Sequence, residues 1–367
     1  MEFVCSSCGK TYSIKERAWR CNCGAYLTIE NSLTFEKRDI VDSRFSLWRY
    51  EKVLPFVFSD PIVTFQEGLT PLVTDTWRNH ELNLKLDYLM PTGSFKDRGV
   101  AMMVNYLNSL GIKNVVEDSS GNAGSSLAAY CAKAGIQCDI FVPATASEGK
   151  LAQIELYGAI LHKIPGTRQD VTIAAQKFAE KSFYASHNWH PLFLEGTKTL
   201  AYEVWEQLQY DIPDNVFVPI GAGSSLLGFY RGFKELMLNG LINKMPRLFG
   251  FQAANCAPLV NPLTFIAPIP TIAEGISITH PLREREIIDA VSETGGAIDT
   301  VTEEEILLAM RKAAFKGYFI EPTSAVSLAG FDRYLNLDAI SDDAINLVLL
   351  TGSGLKAVNE ITALLRN

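Results

Sequence analysis

Lys96 stands within Pro91-Thr92-Gly93-Ser94-Phe95-Lys96-Asp97-Arg98-Gly99, a small-residue turn that leads into Met102, Met103, Val104, Tyr106 and Leu107 at helical spacing. The pattern makes Ser94 the N-cap and puts Lys96 in the first turn. The positive end of a helix disfavours an ammonium there and favours the neutral amine, the form that condenses with a carbonyl to give a Schiff base. The alternative reading is a solvated lysine paired with Asp97 or a nearby acid.

Three Gly/Ser turns follow apolar runs, at the strand ends where ligands gather in open parallel sheets. Ser119-Ser120-Gly121-Asn122-Ala123-Gly124 follows Val115-Val116. Its hydroxyls and amides at a helix N-terminus suit a carboxylate, and Asn122 could bond a phenolic oxygen; a capped helix after a tight turn is the plainer reading. Gly221-Ala222-Gly223-Ser224-Ser225 lies between a strand at Val216 to Ile220 and a helix, an arrangement that suits a phosphate dianion. A dinucleotide site would want an acid at the end of the next strand, and the residue near that end is Gln252. Thr351-Gly352-Ser353-Gly354-Leu355-Lys356 follows the apolar run Asn346 to Leu350, and Thr351 reads either as a hydroxyl facing a cleft or as a simple cap. A nucleophilic lysine, a carboxamide, an amide-rich phosphate cradle and a neutral hydroxyl are the polar groups that pyridoxal phosphate asks of a protein. The chain contains no G-x-x-x-x-G-K-[ST], H-E-x-x-H or G-x-S-x-G.

A second chemistry sits at the N-terminus. Cys5-x-x-Cys8 and Cys21-x-Cys23, the latter followed by Gly24, lie in a stretch too short to bury a core. Four thiolates in two close pairs suit tetrahedral, structural zinc; reduced, metal-free thiols are the alternative. Cys131, Cys138 and Cys256 occur singly among apolar residues and read as small buried hydrophobes in a reducing compartment.

These residues need elements to hold them. Residues 31 to 70 are aromatic-rich and irregular, with Phe45, Trp48, Tyr50, Phe56, Phe58 and Phe65, and read as an arm packed over a domain surface. Beyond Asn114, strands at Val115-Val116, Cys138 to Val142 and Ile160 to Ile164 alternate with helices at Ser125 to Ala134, Ser147 to Tyr157 and Asp170 to Lys181. A second series runs through Val216 to Ile220, Leu248 to Gln252 and Ile345 to Leu350, with helices at Ser224 to Leu238, Glu303 to Phe315, Thr323 to Leu335 and Lys356 to Leu365. The fold class is therefore α/β, with two doubly wound, three-layer domains built on parallel sheets and a zinc-ribbon-like N-terminal segment. A chain of 367 residues, 47% hydrophobic, has material for two cores. The expected division is a ribbon over 1–30, a large cofactor-binding domain of 31–95 plus 190–367, and a small mobile domain over 96–189.

The net charge of -8 argues against nucleic-acid and membrane-surface partners and for small solutes. No apolar run approaches about 18 residues and no export signal is legible, so a cytoplasmic location is expected.

At these residues the chain resembles the fold-type II pyridoxal-phosphate enzymes, and among them the threonine synthase family. The resemblance is carried, in order, by the cysteine ribbon, Glu67-Gly68-Leu69-Thr70-Pro71-Leu72, the Lys96 and Asn122 turns, Gly149-Lys150-Leu151-Ala152-Gln153, Glu195-Gly196-Thr197-Lys198-Thr199, Phe251-Gln252-Ala253, Glu321-Pro322-Thr323-Ser324-Ala325 and the Thr351 turn. It implies Lys96 as the Schiff-base lysine, with Phe95 beside it, Asn122 on the cofactor's phenolic oxygen, and Gly221, Ala222, Gly223, Ser224 and Ser225 around its phosphate. It further implies Thr351 opposite the ring nitrogen, and Ser119, Ser120, Gly121 and Ala123 on the substrate carboxylate. A neutral Thr351 would leave the ring nitrogen less protonated than a carboxylate would, which steers toward elimination or replacement rather than transamination. A homodimer acting on a small amino acid is the expected assembly.

The chain also departs from that family. Its members carry Asn-Ser-x-Asn-Pro-x-Arg ahead of Glu-Gly-x-Lys-Thr, where polar groups help to hold a substrate phosphate; here the run is His187-Asn188-Trp189-His190-Pro191-Leu192-Phe193. Losing a bidentate guanidinium costs several kcal/mol unless another cation replaces it. Lys150, Arg283 or His187 could do so, with Asn188 beside it, or the substrate lacks phosphate. Glu274-Gly275-Ile276-Ser277 is similar to the amino-acid dehydratase branch. The expected activity is elimination and replacement on an activated amino acid, O-phosphohomoserine to threonine or a close analogue, with a serine/threonine dehydratase-like or secondary-metabolism enzyme as the alternative.

Overall fold

The computed structural model describes residues 2–29, 33–55, 61–146, 148–261 and 269–366, with the side chains of 148–150 and 365 set aside. Phe56, Phe58, Ser147 and the Lys150 side chain thus lie outside the described residues. In chain order the strands are β1 (Glu2–Cys5), β2 (Thr11–Ser13), β3 (Leu27–Ile29), β4 (Leu72–Trp77), β5 (His80–Lys85), β6 (Asn114–Glu117), β7 (Gln137–Pro143), β8 (Ile160–Ile164), β9 (Phe183–Tyr184), β10 (Asn215–Pro219), β11 (Arg247–Ala253), β12 (Ala297–Val301) and β13 (Asn346–Leu349). The helices are α1 (Lys96–Ser109), α2 (Asn122–Ala134), α3 (Glu148–Leu156), α4 (Arg168–Phe178), α5 (Pro191–Thr197), α6 (Thr199–Gln207), α7 (Ser224–Leu238), α8 (Glu284–Glu293), α9 (Glu303–Phe315), α10 (Pro322–Asn336) and α11 (Val358–Arg366).

The chain forms two compact units, Met1–Gly68 with Lys96–Thr197, and Leu69–Phe95 with Lys198–Asn367. The first holds a four-stranded parallel sheet in the order β8-β7-β6-β9 and a three-stranded antiparallel sheet in the order β2-β1-β3. Helix α1 is buried along its length from Asp97 to Leu107, so it is a core element, and each buried Met or Val there contributes on the order of 1.5–3 kcal/mol. Its Tyr106 hydroxyl donates to the Ile14 carbonyl at 2.7 Å, which ties the N-terminal ribbon to the helix.

Residues 33–55 and 61–68 also belong to this first unit, where the sequence grouped them with the large domain. A pair of hydrogen bonds to α1 gives the physical reason. Asn105 of α1 exchanges a pair of amide hydrogen bonds with Val63, at 2.8 and 2.7 Å, and the Trp48 indole donates to Glu67 at 2.6 Å.

The second unit carries a six-stranded sheet in the order β12-β11-β10-β13-β5-β4, parallel except for the edge strand β4. β4 and β5 form a hairpin whose turn residues, Arg78 and Asn79, both have positive φ, 50° and 68°, the conformation that matches strand twist in a two-residue loop. Lys85, at the end of β5, is wholly buried and ion-paired with Glu203 at 2.8 Å, with Thr70 and Gln207 taking its other hydrogens. A buried ammonium survives only when so completely paired.

Candidate active site

Helix α1 opens at Lys96, so Ser94 lies one residue outside the cap position expected for it. The reason is backbone pairing: Ser94 bridges to Gly352, Phe95 donates to the Thr351 carbonyl at 2.9 Å, and Ser353 donates to Gly93 at 2.9 Å. These contacts pin 93–95 against 351–353, and the Ser94 hydroxyl is buried with no partner among the described residues. Gly93 itself has φ +83°, with Lys356 packed 3.0 Å from where a Cβ would stand. Lys96 thus emerges from a fixed segment.

In the first unit, the Lys96 Nζ stands 5.6 Å from the centre of the Phe193 ring. Phe193 is wholly buried because Gly99 leaves it room; a Cβ on Gly99 would fall 2.5 Å from the ring. The His187 ring meets the same phenyl edge-on at 5.7 Å. Its Nδ1 lies 3.0 Å from Glu117 Oε1, and its backbone N–H donates to Glu117 Oε2 at 3.1 Å. Adjacent Asp118 is engaged otherwise, by Arg168 at 3.1 Å, Thr172 at 2.6 Å and Tyr184 at 2.8 Å. Burial, and then the charge of Asp118, push the Glu117 carboxyl well above its ordinary range. Burial, and then the cations Lys96 and Arg168, push the His187 imidazole well below its own.

The 119–124 turn follows β6 directly. It is tight: a Cβ on Gly124 would lie 2.0 Å from the Ser119 carbonyl, so glycine is required. Asn122 is the first residue of α2, after Gly121, and the Gly121 amide bonds to the Ser119 hydroxyl at 3.4 Å. Since β6 and β9 are parallel neighbours, the turn at 119–124 and the segment at His187 and Asn188 issue from adjacent strand ends. Asn188 Oδ1 is buried without a partner among the described residues. His190 differs. It is 1% exposed, its Nδ1 accepts from the Leu192 amide, and Phe3, Tyr106 and Phe183 surround it, so it is a core residue.

In the second unit, β10 runs into Gly221-Ala222-Gly223 and then α7, whose first-turn amides have no acceptor within the helix. The turn is shaped by close neighbours. A Cβ on Gly221 would come 2.9 Å from the Ile276 backbone, and Gly223, at φ +80°, would put one 2.3 Å from Ile287. Ser224 and Ser225 are buried in the same cradle. β13, the parallel neighbour of β10, ends at Leu349, two residues before Thr351. The Thr351 hydroxyl is 2.9 Å from Ser324 Oγ, which also bonds to the Gly352 amide at 2.8 Å and carbonyl at 3.0 Å. Arg283 is 4% exposed and ion-paired with Glu286 at 2.9 Å, at the start of α8.

The donor set fits pyridoxal phosphate: a glycine cradle that a Cβ would fill, open amides at a helix N-terminus for a phosphate, and a buried neutral hydroxyl on the next strand. At the ribbon, the sulfurs of Cys5, Cys8, Cys21 and Cys23 all lie within 4.8 Å of one another. Amides of Ser7 and Cys8 point at Cys5, and the Cys23 amide and Tyr12 hydroxyl point at Cys21. Those two donors bring the Cys21 thiol down to about 6. Such a set suits a tetrahedral soft cation.

The sequence pattern described as "Pyridoxal-phosphate dependent enzyme" matches residues 63–352. The chain is 36% identical to the threonine synthase of Methanocaldococcus jannaschii, over 96% of its length and 92% of the relative's. It is 33% identical to that of Methanosarcina acetivorans, over 96% and 91%. Its fold matches O-ureido-L-serine synthase, with TM-score 0.67 and 22% identity over 79% of this chain and 90% of that one, and maize serine racemase, with TM-score 0.66 and 19% identity over 81% and 92%. The chain belongs to the pyridoxal-phosphate dependent enzymes of fold type II, in the threonine synthase family. Among the described residues no helix is long and apolar enough to cross a membrane.

Sequence reasoning passed over Glu117, Asp118, Tyr184 and Ser324. Two acids at the carboxyl end of an apolar strand, immediately before a Gly/Ser turn, were the available signal for the first pair. Tyr184 and Ser324 carry no local signal, because their partners lie 66 and 27 residues away.

Proposed function

We propose that the enzyme converts O-phosphohomoserine and water to threonine and inorganic phosphate. The observation that carries this reading is the similarity, over nearly the whole chain, to two proteins named threonine synthase. Lys96 is the residue that holds the cofactor aldehyde, flanked by Phe95, and its freed amine moves the proton at the substrate α-carbon. Asn122 takes the phenolic oxygen; Gly221, Ala222, Gly223, Ser224 and Ser225 take the phosphate; Thr351 takes the ring nitrogen. When bound, the cofactor supplies an electron sink for the electrons released at the α-carbon. Ser119, Ser120, Gly121 and Ala123 bind the substrate carboxylate, and His187, Asn188 and Lys150 face its side-chain end. Arg283 is left out of that end, since Glu286 already neutralises it.

Residues 96–189 act as the core of the mobile part that closes on substrate, carrying the rest of the first unit with them, and the working form is a cytoplasmic homodimer. The four cysteines of the ribbon hold one structural zinc ion, supported by their mutual approach and by amides aimed at the sulfurs.

The experiment is a coupled assay for threonine and phosphate from O-phosphohomoserine, with Lys96→Ala as the control that should lose turnover and stay folded. A second reading, β-elimination from serine or threonine, is favoured by the apolar Phe193 at the position where the family carries arginine; a 2-oxo acid formed from threonine, with no phosphate release from O-phosphohomoserine, would establish it instead.

A further inference from the structure

Glu117 and His187 form a buried pair at adjacent strand ends of the first unit. Glu117 is 1% exposed, and its two oxygens grip His187 at two points, the ring Nδ1 and the backbone N–H. Among the described residues His187 is its only hydrogen-bond partner, because Arg168 is taken by Asp118. The His187 side chain is 10% exposed, and its Nε2 has no partner among the described residues. That free nitrogen belongs to a ring that contacts the same Phe193 phenyl as the Lys96 Nζ. Next to it, Asn188 Oδ1 is also buried without a partner.

Resting on the functional reading above, we propose that Glu117 is a positioning residue that makes His187 a fixed hydrogen-bond donor, through Nε2, to the side-chain end of the amino-acid substrate. If the shared proton sits on the carboxyl, it bonds to Nδ1 and the neutral imidazole carries its hydrogen on Nε2. If the proton sits on the ring, both nitrogens carry hydrogen. Nε2 is a donor in either case. Only loss of the proton altogether would turn Nε2 into an acceptor, and that would leave a buried carboxylate beside the charge of Asp118. A donor at this place can bond an oxygen of the substrate's leaving group. His190 supplies the contrast: it is sealed in the core and can meet no ligand.

The test uses the holoenzyme and the visible band of its cofactor, titrated with O-phosphohomoserine and separately with alanine, which has no side-chain end to read. His187→Ala and Glu117→Leu should each weaken O-phosphohomoserine by about tenfold or more, the loss of one charge-assisted bond, and leave alanine unchanged. His187→Gln, which keeps a donor, should recover part of the loss. Equal weakening for both ligands, or none for either, overturns the proposal. Nitrogen-15 spectra of His187 in the unmutated enzyme need no variant to fold: hydrogen on Nε2 at neutral pH is expected, and hydrogen on Nδ1 alone overturns it. The two readings fail separately. Absent phosphate release by the unmutated enzyme removes the threonine synthase reaction, whereas the binding contrast between the two ligands decides the role of Glu117.

Discussion

The Ser324 hydroxyl lies 2.9 Å from that of Thr351 while also bonding both the amide and the carbonyl of Gly352. Ser324 has a single hydrogen. When that hydrogen goes to the Gly352 carbonyl, Thr351 must donate to Ser324 and offers only lone pairs elsewhere. Ser324→Ala should free the Thr351 hydroxyl to donate. The expected outcome is a shifted visible spectrum of the bound cofactor and a changed pH midpoint for that band, with cofactor still held; an unchanged spectrum would separate Thr351 from the ring nitrogen.

Gly223→Ala should strip the enzyme of cofactor. The added methyl meets Ile287 at 2.3 Å in a backbone conformation with φ +80°, a strain of roughly 1–3 kcal/mol at the start of α7. Equilibrium dialysis should show affinity for pyridoxal phosphate reduced by about tenfold or more, with the melting temperature only a few degrees lower.

Phe193→Arg should not restore a phosphate-reading arginine. The ring is wholly buried against Gly99, so a guanidinium there would lack both room and a counter-charge. Loss of soluble protein is the expected result. Phe193→Ala should fold with stability lower by about 3–5 kcal/mol, measured by denaturant unfolding.

Chelation should act on the ribbon and spare the cofactor. With metal removed, residues 1–29 should become protease-sensitive while the visible band persists, and added zinc should restore protection. A chelated protein equally protected there would leave the four thiols as bystanders.

Stability should vary with pH through Glu117 and His187 in opposite senses. The Glu117 carboxyl, raised by burial and Asp118, contributes stability that is complete below its unfolded value near about 4.5 and is lost as pH rises through the folded one. His187, lowered by burial and by Lys96 and Arg168, loses its share as pH falls below about 6.5 toward its folded value. In denaturation curves, Glu117→Gln should flatten the decline on the alkaline side of about 4.5, and His187→Gln the decline on the acid side of about 6.5. Unaltered slopes would mean that the pair is not buried as described.

Much of this was legible in the chain because the relevant signals are local. The helix over Ser224–Leu238 and that over Glu303–Phe315 fall where the apolar spacing puts them, and the three Gly/Ser turns follow strands as expected. The β4–β5 hairpin was not legible, since its turn is Arg78-Asn79, with no glycine to announce two positive φ angles. Helix α5 was hidden as well: no local signal marks Pro191-Leu192-Phe193-Leu194 as helical, and the helix packs against α1. The Ser94 cap failed for a related reason. A serine before an apolar helix is a sound local signal, but pairing with Gly352, 258 positions later, overrode it.

Strand β5 lies between β4, its hairpin partner, and β13, which contributes Leu347, Val348 and Leu349 to it. On the ribosome, Asn83 to Lys85 leave the exit tunnel long before those residues exist, so this hairpin must wait with one open edge while nearly all of the polypeptide is made. Closure of the sheet is therefore among the last events of folding, and the cost of such a distant pairing falls on the rate. Nascent chains stopped short of residue 346 should present that unpaired edge to chaperones, or to one another.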